Sequence, residues 1–178
     1  MEDGIDLVTI IKGVNFYRRA KYHDYVSDYI PLVPSEFRQA TEEYRWLTIA
    51  TSPVMLSTME DGKIVRGLAG IPSEGPVLFV GYHMLLGLEL APMLSTFDTF
   101  RVFGAVPVSG SYFYKLMSSK SHILLYPGGM REALHRKGEE YKLFWPESSE
   151  FIRMAARFGA KIVPFGVVGE DDIGQVWA

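Results

Sequence analysis

Apolar positions follow two rhythms along this chain. In "GPVLFVG" they run without a break from Val77 to Val80, with glycines close on both sides. A short continuous apolar run of this kind predicts a strand buried on both faces. "SHILLY", from Ser121, and "AKIVPFGVVGEDD", from Ala160, have the same strand character. Between them "SSEFIRMAARFG" carries Phe151, Ile152, Ala155 and Phe158 at helical spacing. Arg153 and Arg157 stand one turn apart on the outer side, and Gly159 takes the place of a C-terminal cap. "SYFYKLMSSK" predicts a short helix and "HMLLGLELAPMLSTF" a helix as far as the residue before Pro92. "RVFGAVPVSG" reads as a strand or a loop. Strand, helix, strand, helix, strand from residue 77 onward predicts an α/β fold with a partly parallel mixed sheet flanked by helices.

The first 70 residues are less regular. "DLVTIIKGVNFYRRAKYHDYVSDYI" and "SEFRQATEEYRWLTIA" predict amphipathic helices separated by "PLVP", and "GKIVRGL" a strand after the Asp61-Gly62 turn. No internal repeat or low-complexity linker interrupts the chain. The expected organisation is one domain over 1–178, with a helical N-terminal region (1–70) and an α/β core (71–178).

Composition narrows the chemistry. The chain has 178 residues, 48% hydrophobic and 22% charged, enough for one domain with a sizeable core. Its net charge of −3 lacks the basic footprint of a nucleic-acid binder. With no cysteine, disulfides, thiolate nucleophiles and cysteine-based zinc sites are excluded. Four histidines, His23, His83, His122 and His135, are the only imidazoles for chemistry near neutral pH. None has metal-ligand spacing to another, so no metal is expected. No apolar passage reaches the roughly 20 residues of a bilayer span. "MEDGIDLV" resembles neither a secretory signal nor a transit peptide, which predicts a soluble or peripherally membrane-bound chain.

Two stretches carry candidate chemistry. In "GYHMLLGLELAP", His83 falls just past the C-terminal end of the predicted strand, where open α/β sheets place ligands. Glu89 is the nearby acid that would hold its second ring nitrogen. On a regular helix the two would stand about 240° apart, so they meet only if His83 precedes the helix. A histidine in a strand-to-helix turn beside a solvated acid is the alternative. In "LLYPGGMREAL", paired glycines let backbone amides approach a ligand closely, to stabilise an oxyanion or hold a phosphate or pantetheine group. Arg131 offers a cationic fork that Glu132 would orient. A plain turn with a solvated charged segment is the alternative there. Ser109 and Ser111, in "FGAVPVSGS", lie outside any G-x-S-x-G elbow and read as loop residues.

Taken in order, "GYHMLLGLELAP", "FGAVPVSGS" and "LLYPGGMREALHRKGEEYKLFWPESSEFIRMAARFGAKIVPFGVVGEDD" resemble the acyltransferase half of the plant plastid phytyl ester synthase family. That half belongs to the diacylglycerol acyltransferase (type 2)/lysophospholipid acyltransferase group. "RWLTIATSPVMLSTMEDGKIVRGLAGIPSEGPVLFVGYHM" resembles the same family, so the likeness covers nearly the whole chain. It implies an O-acyltransferase that moves a fatty acyl group from an acyl thioester to a lipid alcohol such as phytol or diacylglycerol. The thioester, acyl-CoA or an acyl carrier protein, is a co-substrate, and no cofactor is implied. It also implies a chloroplast setting, at plastoglobules, with a peripheral membrane or lipid-droplet surface and acyl carrier protein as partners. His83 would be the general base and Glu89 the acid of the histidine box. Tyr126, Pro127, Gly128, Gly129, Arg131 and Glu132 would form the second, substrate-binding box. Leu85, Leu86, Leu88 and Met93 would line an acyl groove or belong to the core.

The sequence departs from the family pattern in three places. The wider group has His-x4-Asp, whereas here Glu89 comes one position later and residue 88 is leucine. The join "APMLSTFDTFRVFGAV" is short, as though a strand and helix were missing, and the chain stops at "GQVWA". The expected domain is therefore incomplete. An inactive acyltransferase-like remnant and an acyl hydrolase or thioesterase stand as alternative readings.

Overall fold

A computed structural model describes residues 24–42, 45–52, 54–83, 104–148 and 150–169, with the backbone alone at residues 47, 48 and 51. The chain enters through a turn: the Asp24 carboxylate accepts the N–H groups of Val26 and Ser27, and Asp28 N–H returns to the Asp24 carbonyl. The C-terminal part of the first predicted helix is thus a side-chain-capped turn, as short acidic side chains favour; its residues before Asp24 lie outside the described residues. Helix α1, Pro34–Glu42, begins on a proline whose missing N–H would be unpaired anyway. Glu36 reaches back to the Val33 N–H at 3.0 Å. The described parts of the second predicted helix are α1 and, after residues 43 and 44, α2, Arg45–Thr51.

Strands β1, Leu56–Thr58, and β2, Ile64–Arg66, form an antiparallel hairpin. Its turn is the predicted Asp61-Gly62 pair. The Asp61 carboxylate accepts the Lys63 N–H at 2.9 Å, and Gly62 adopts φ +82°. β1, in "VMLST", was not expected from the sequence.

The three remaining strands make one parallel sheet. β3, Val77–Gly81, lies between β4, His122–Leu125, and β5, Lys161–Phe165. Val77 pairs with His122 on one side and Lys161 on the other, and all three strands point the same way. Parallel and antiparallel pairing therefore both occur, in separate sheets. β3 is central because it tolerates burial: Val77, Leu78, Val80 and Gly81 are buried. Pro164 can lie in β5 because that strand has one paired side among the described residues, where a missing N–H costs no ladder bond.

Helices α3, Gly110–Ser118, and α5, Glu150–Phe158, cover one face of the sheet. Leu78, Val80, Met117, Ile123 and Ala155 form the core there, with Phe113, Leu116, Trp145, Met154 and Phe158 packed around it. Ser109 proves to be the α3 N-cap, its hydroxyl accepting the Tyr112 N–H at 3.2 Å. In α5 the apolar face is Phe151, Met154, Ala155 and Phe158, whereas Ile152 is 45% exposed. Phe151, Ala155 and Phe158 lie on the expected face, and Met154 takes the place expected of Ile152. Gly159, at φ +63°, ends α5 as expected and lets the Ala160 N–H reach the Ala155 carbonyl at 2.9 Å. The described part of "RVFGAVPVSG" before Ser109 is loop. The predicted helix after His83 lies outside the described residues.

Leu78 is fully buried at the centre of this layer. Leu78→Ala should lower stability by about 2–5 kcal/mol. Leu124→Ala, at a side chain that is 58% exposed, should change it by much less. Thermal unfolding followed by circular dichroism checks the difference between the two variants.

Candidate functional site

The carboxyl ends of β4, β3 and β5 bring three aromatic rings together. His83 lies two residues past β3, Tyr126 one past β4, and Phe165 ends β5. The His83 and Tyr126 ring centroids are 4.6 Å apart, and Tyr126 meets Phe165 edge to face at 5.7 Å. Gly81 makes this possible, since a Cβ there would stand 2.4 Å from the Phe165 ring. His83 is half-buried. The parallel strands thus deliver His83 to the sheet end where ligands bind in such folds.

After Tyr126 the chain makes a short element absent from the sequence reading: helix α4, Gly129–Ala133. Gly129 has φ +49° and donates its N–H to the Tyr126 carbonyl at 3.1 Å. That amide is engaged in closing the turn. Gly128 serves a different purpose. A Cβ there would come within 2.1 Å of Glu132 Cδ, so the glycine leaves the space into which the Glu132 side chain folds.

Glu132 is fully buried and binds two backbone amides from separate segments. Oε2 accepts the His83 N–H at 2.8 Å, and Oε1 accepts the Phe144 N–H at 2.9 Å. Both oxygens act as acceptors. The Glu132 carbonyl faces Nδ1 of His135 at 2.7 Å. A carbonyl can only accept, so that nitrogen carries the proton. Tyr82 Oη lies 2.8 Å from the same nitrogen, and His135 itself is 3% exposed. The charged run therefore conceals two buried groups, Glu132 and His135. A usable signal was present: they are three residues apart, flank the small Ala133, and follow a strand.

Arg131 does not turn to Glu132. Its guanidinium forks onto Glu139, at 3.0 and 2.6 Å, and lies 3.8 Å above the Phe144 ring. The expectation that Glu132 orients Arg131 is corrected. Burial and the two amides draw Glu132 inward, while Arg131, on the neighbouring helical position, faces outward. Leu85, Leu86, Leu88, Glu89 and Met93 lie outside the described residues. Pro127 and Gly128 are half-buried within the turn.

A cleft of about 440 Å³ lies near the opposite strand ends, where Ser121 leads into β4. Tyr25, Ser27, Tyr29, Lys115, Ser119 and Ser121 line it, and none of the candidate site residues does. Lys115 is already paired with Asp24, whose carboxyl it holds well below the usual carboxylate range. The strand-end cluster around His83 remains the better chemical site.

Two measurements follow from this geometry. Gly128→Ala drives a methyl into the Glu132 carboxyl and should cost about 1–3 kcal/mol. Gly110→Ala, where a Cβ would meet nothing within 4 Å, should be nearly neutral in thermal melts. The Arg131 fork and the Arg136 N–H hold the Glu139 carboxyl down at about 2, against an ordinary 4.5. A depressed carboxyl stabilises the fold above its unfolded value and loses that contribution as pH falls through the folded one. The Glu139 contribution should accordingly disappear between about pH 4.5 and 2. NMR titration of the Glu139 side-chain carbon should show a midpoint near 2 that rises toward 4.5 in Arg131→Ala.

Comparison with known proteins identifies the family. The family model for diacylglycerol acyltransferase matches residues 11–178. Phytyl ester synthase 2, chloroplastic, from Arabidopsis thaliana is 55% identical over 206 residues, covering 99% of this chain and 29% of that protein. Phytyl ester synthase 1, chloroplastic, from the same plant is 51% identical over the same shares. The chain thus spans less than a third of either relative. The aligned stretch of 206 positions is longer than the 178-residue chain, so the relatives carry residues inside it that have no counterpart here. No solved structure matches the chain. A family match over nearly its whole length, with two relatives above half identity, makes this chain a member of the diacylglycerol acyltransferase family.

Proposed function

We propose that this chain is the acyltransferase portion of an enzyme that esterifies a lipid alcohol, with His83 as its general base. The observation that carries the reading is the placing of the His83 imidazole. It is half-buried at the carboxyl end of the central strand, against Tyr126, on a backbone held by Glu132. The donor is an acyl thioester of CoA or acyl carrier protein, and the acceptor is phytol or diacylglycerol. The setting is the chloroplast, at plastoglobules or another lipid surface, as the relatives' names and the lipid substrates favour. Among the described residues no helix is long and apolar enough to cross a membrane, and the proposed contact is peripheral.

In the proposed reaction the alcohol oxygen gives its proton to a His83 ring nitrogen while attacking the acyl carbonyl carbon. The carbonyl π pair moves onto oxygen, giving a tetrahedral intermediate. That pair then returns, the C–S bond breaks, and the departing thiolate takes the proton back from the imidazolium. Ester and free thiol are the products, and the base is regenerated. A positioned base of this kind contributes about 10²–10⁴-fold. Glu89 is assigned to steady the second ring nitrogen. Tyr126, Pro127, Gly128 and Gly129 form the floor beside the imidazole, and Arg131, on its outward fork, borders the donor's polar end.

A second reading is favoured by one finding: the relatives have residues within the aligned stretch that this chain lacks. It holds that the chain keeps the fold and a lipid surface without turnover. One experiment separates the readings. The purified chain is given radiolabelled acyl thioester with phytol or diacylglycerol, beside His83→Ala and the control His122→Ala. His122 bonds the Pro72 carbonyl at the far strand ends. Ester from the native chain and His122→Ala, with a fall of at least about 10²-fold in His83→Ala, is expected. Ester from no variant, with folding intact, supports the remnant, and free fatty acid without ester supports hydrolysis.

A further inference from the structure

We infer that Glu132 is a positioning residue for His83: it fixes the base through its backbone amide and does not touch substrate. This inference rests on the reading of His83 as base and assigns the device that holds it.

The side chain has no surface to offer a ligand. Glu132 is fully buried, and each carboxylate oxygen is occupied by an N–H, at 2.8 and 2.9 Å. A carboxyl group is tolerated inside a protein when donors replace its water, and two do so here. The two donors come from distant parts of the chain. One is the proposed base itself, at the end of β3; the other is Phe144, beyond α4. The carboxylate therefore ties the strand end to two later segments.

The neighbours close the grip. Tyr82, immediately before His83, is buried with its hydroxyl 2.8 Å from His135 Nδ1, and that nitrogen also meets the Glu132 carbonyl at 2.7 Å. The Tyr82-His83 pair is thus held at one residue by a side-chain hydroxyl and at the next by its own N–H. Phe144 is pinned from above by Arg131, which Glu139 anchors in turn. With the His83 backbone fixed, the Tyr126 ring at 4.6 Å limits where the imidazole can turn. Gly128 has no Cβ in order to admit Glu132, so the glycine of the Pro-Gly-Gly turn acts on the base at one remove.

Glu132→Gln is the diagnostic substitution. The amide keeps one acceptor but turns its NH2 onto the other backbone N–H, so one bond is lost and a donor faces a donor. In the full chain, kcat for ester formation should fall about 10–100-fold, as misplaced catalytic groups do. KM for thioester and alcohol should stay within about twofold, because a residue that touches neither reactant does not govern their binding. Contacts between the His83 and Tyr126 rings, read by NMR, should shift in the variant while circular dichroism stays unchanged. A rise in KM with kcat preserved would make Glu132 a substrate ligand and overturn the inference, as would native kcat. Should the variant fail to fold, the native chain decides. A through-hydrogen-bond coupling between the His83 amide nitrogen and the Glu132 side-chain carboxyl carbon is expected, and its absence overturns the inference. Full turnover in His83→Ala would instead remove the base while leaving that coupling in place, so the two claims fail separately.

Discussion

A buried carboxylate that must find hydrogen-bond donors sets the layout at the end of this sheet. Glu132 cannot reach water, so its oxygens take the His83 and Phe144 amides. Satisfying it draws the end of β3, the one-turn helix α4 and the segment before α5 to one point. Without those donors an isolated buried charge would cost several kcal/mol. Without the carboxyl group, two part-buried N–H groups would lose their acceptor, at up to about 1–3 kcal/mol each. The interaction is therefore mutual, and Gly128 is the space it requires. The parallel ladder then completes the site, because strands in register bring His83, Tyr126 and Phe165 to the same edge.

The sequence disclosed those parts of the fold whose signal is local and repetitive. The uninterrupted apolar run in β3, the glycine that ends α5 and the Asp61-Gly62 turn all act over a few residues, and each is found where the pattern put it. What escaped depends on contacts distant in sequence. Helix α4 is too short to display a period, and its Pro-Gly-Gly start reads as a turn. Glu132 and His135 sit in a run of charge that resembles a solvated surface. Their burial follows from Tyr82, His83 and Phe144, which only folding brings near. The one residue misplaced on the α5 face has the same origin: Ile152 and Met154 are both apolar, and the sheet determines which one turns inward. His83 was legible as a candidate because a histidine after a buried strand is a local pattern. Its link to Glu132, across 49 residues, was not.

Family membership and geometry bear on different questions. The match over residues 11–178 establishes ancestry, and the strand-end cluster shows which of the candidate groups come together among the described residues. His83 and the Pro-Gly-Gly turn are together. Arg131 is committed outward to Glu139, the Gly129 amide closes the turn, and Gly128 leaves room for Glu132. The longer aligned stretch of the relatives means that this chain has fewer residues between the segments it shares with them.

The claim underlying all of this is that an alcohol is deprotonated by the imidazole standing at the end of β3. It is tested most directly by a structure of the chain with phytol and an unreactive thioether analogue of the acyl donor. The account predicts the phytol oxygen about 2.6–3.2 Å from a His83 ring nitrogen, with the analogue's acyl carbon beside it. An alcohol oxygen seated instead in the serine-lined cleft by Lys115, or remote from His83 in every bound copy, would contradict it.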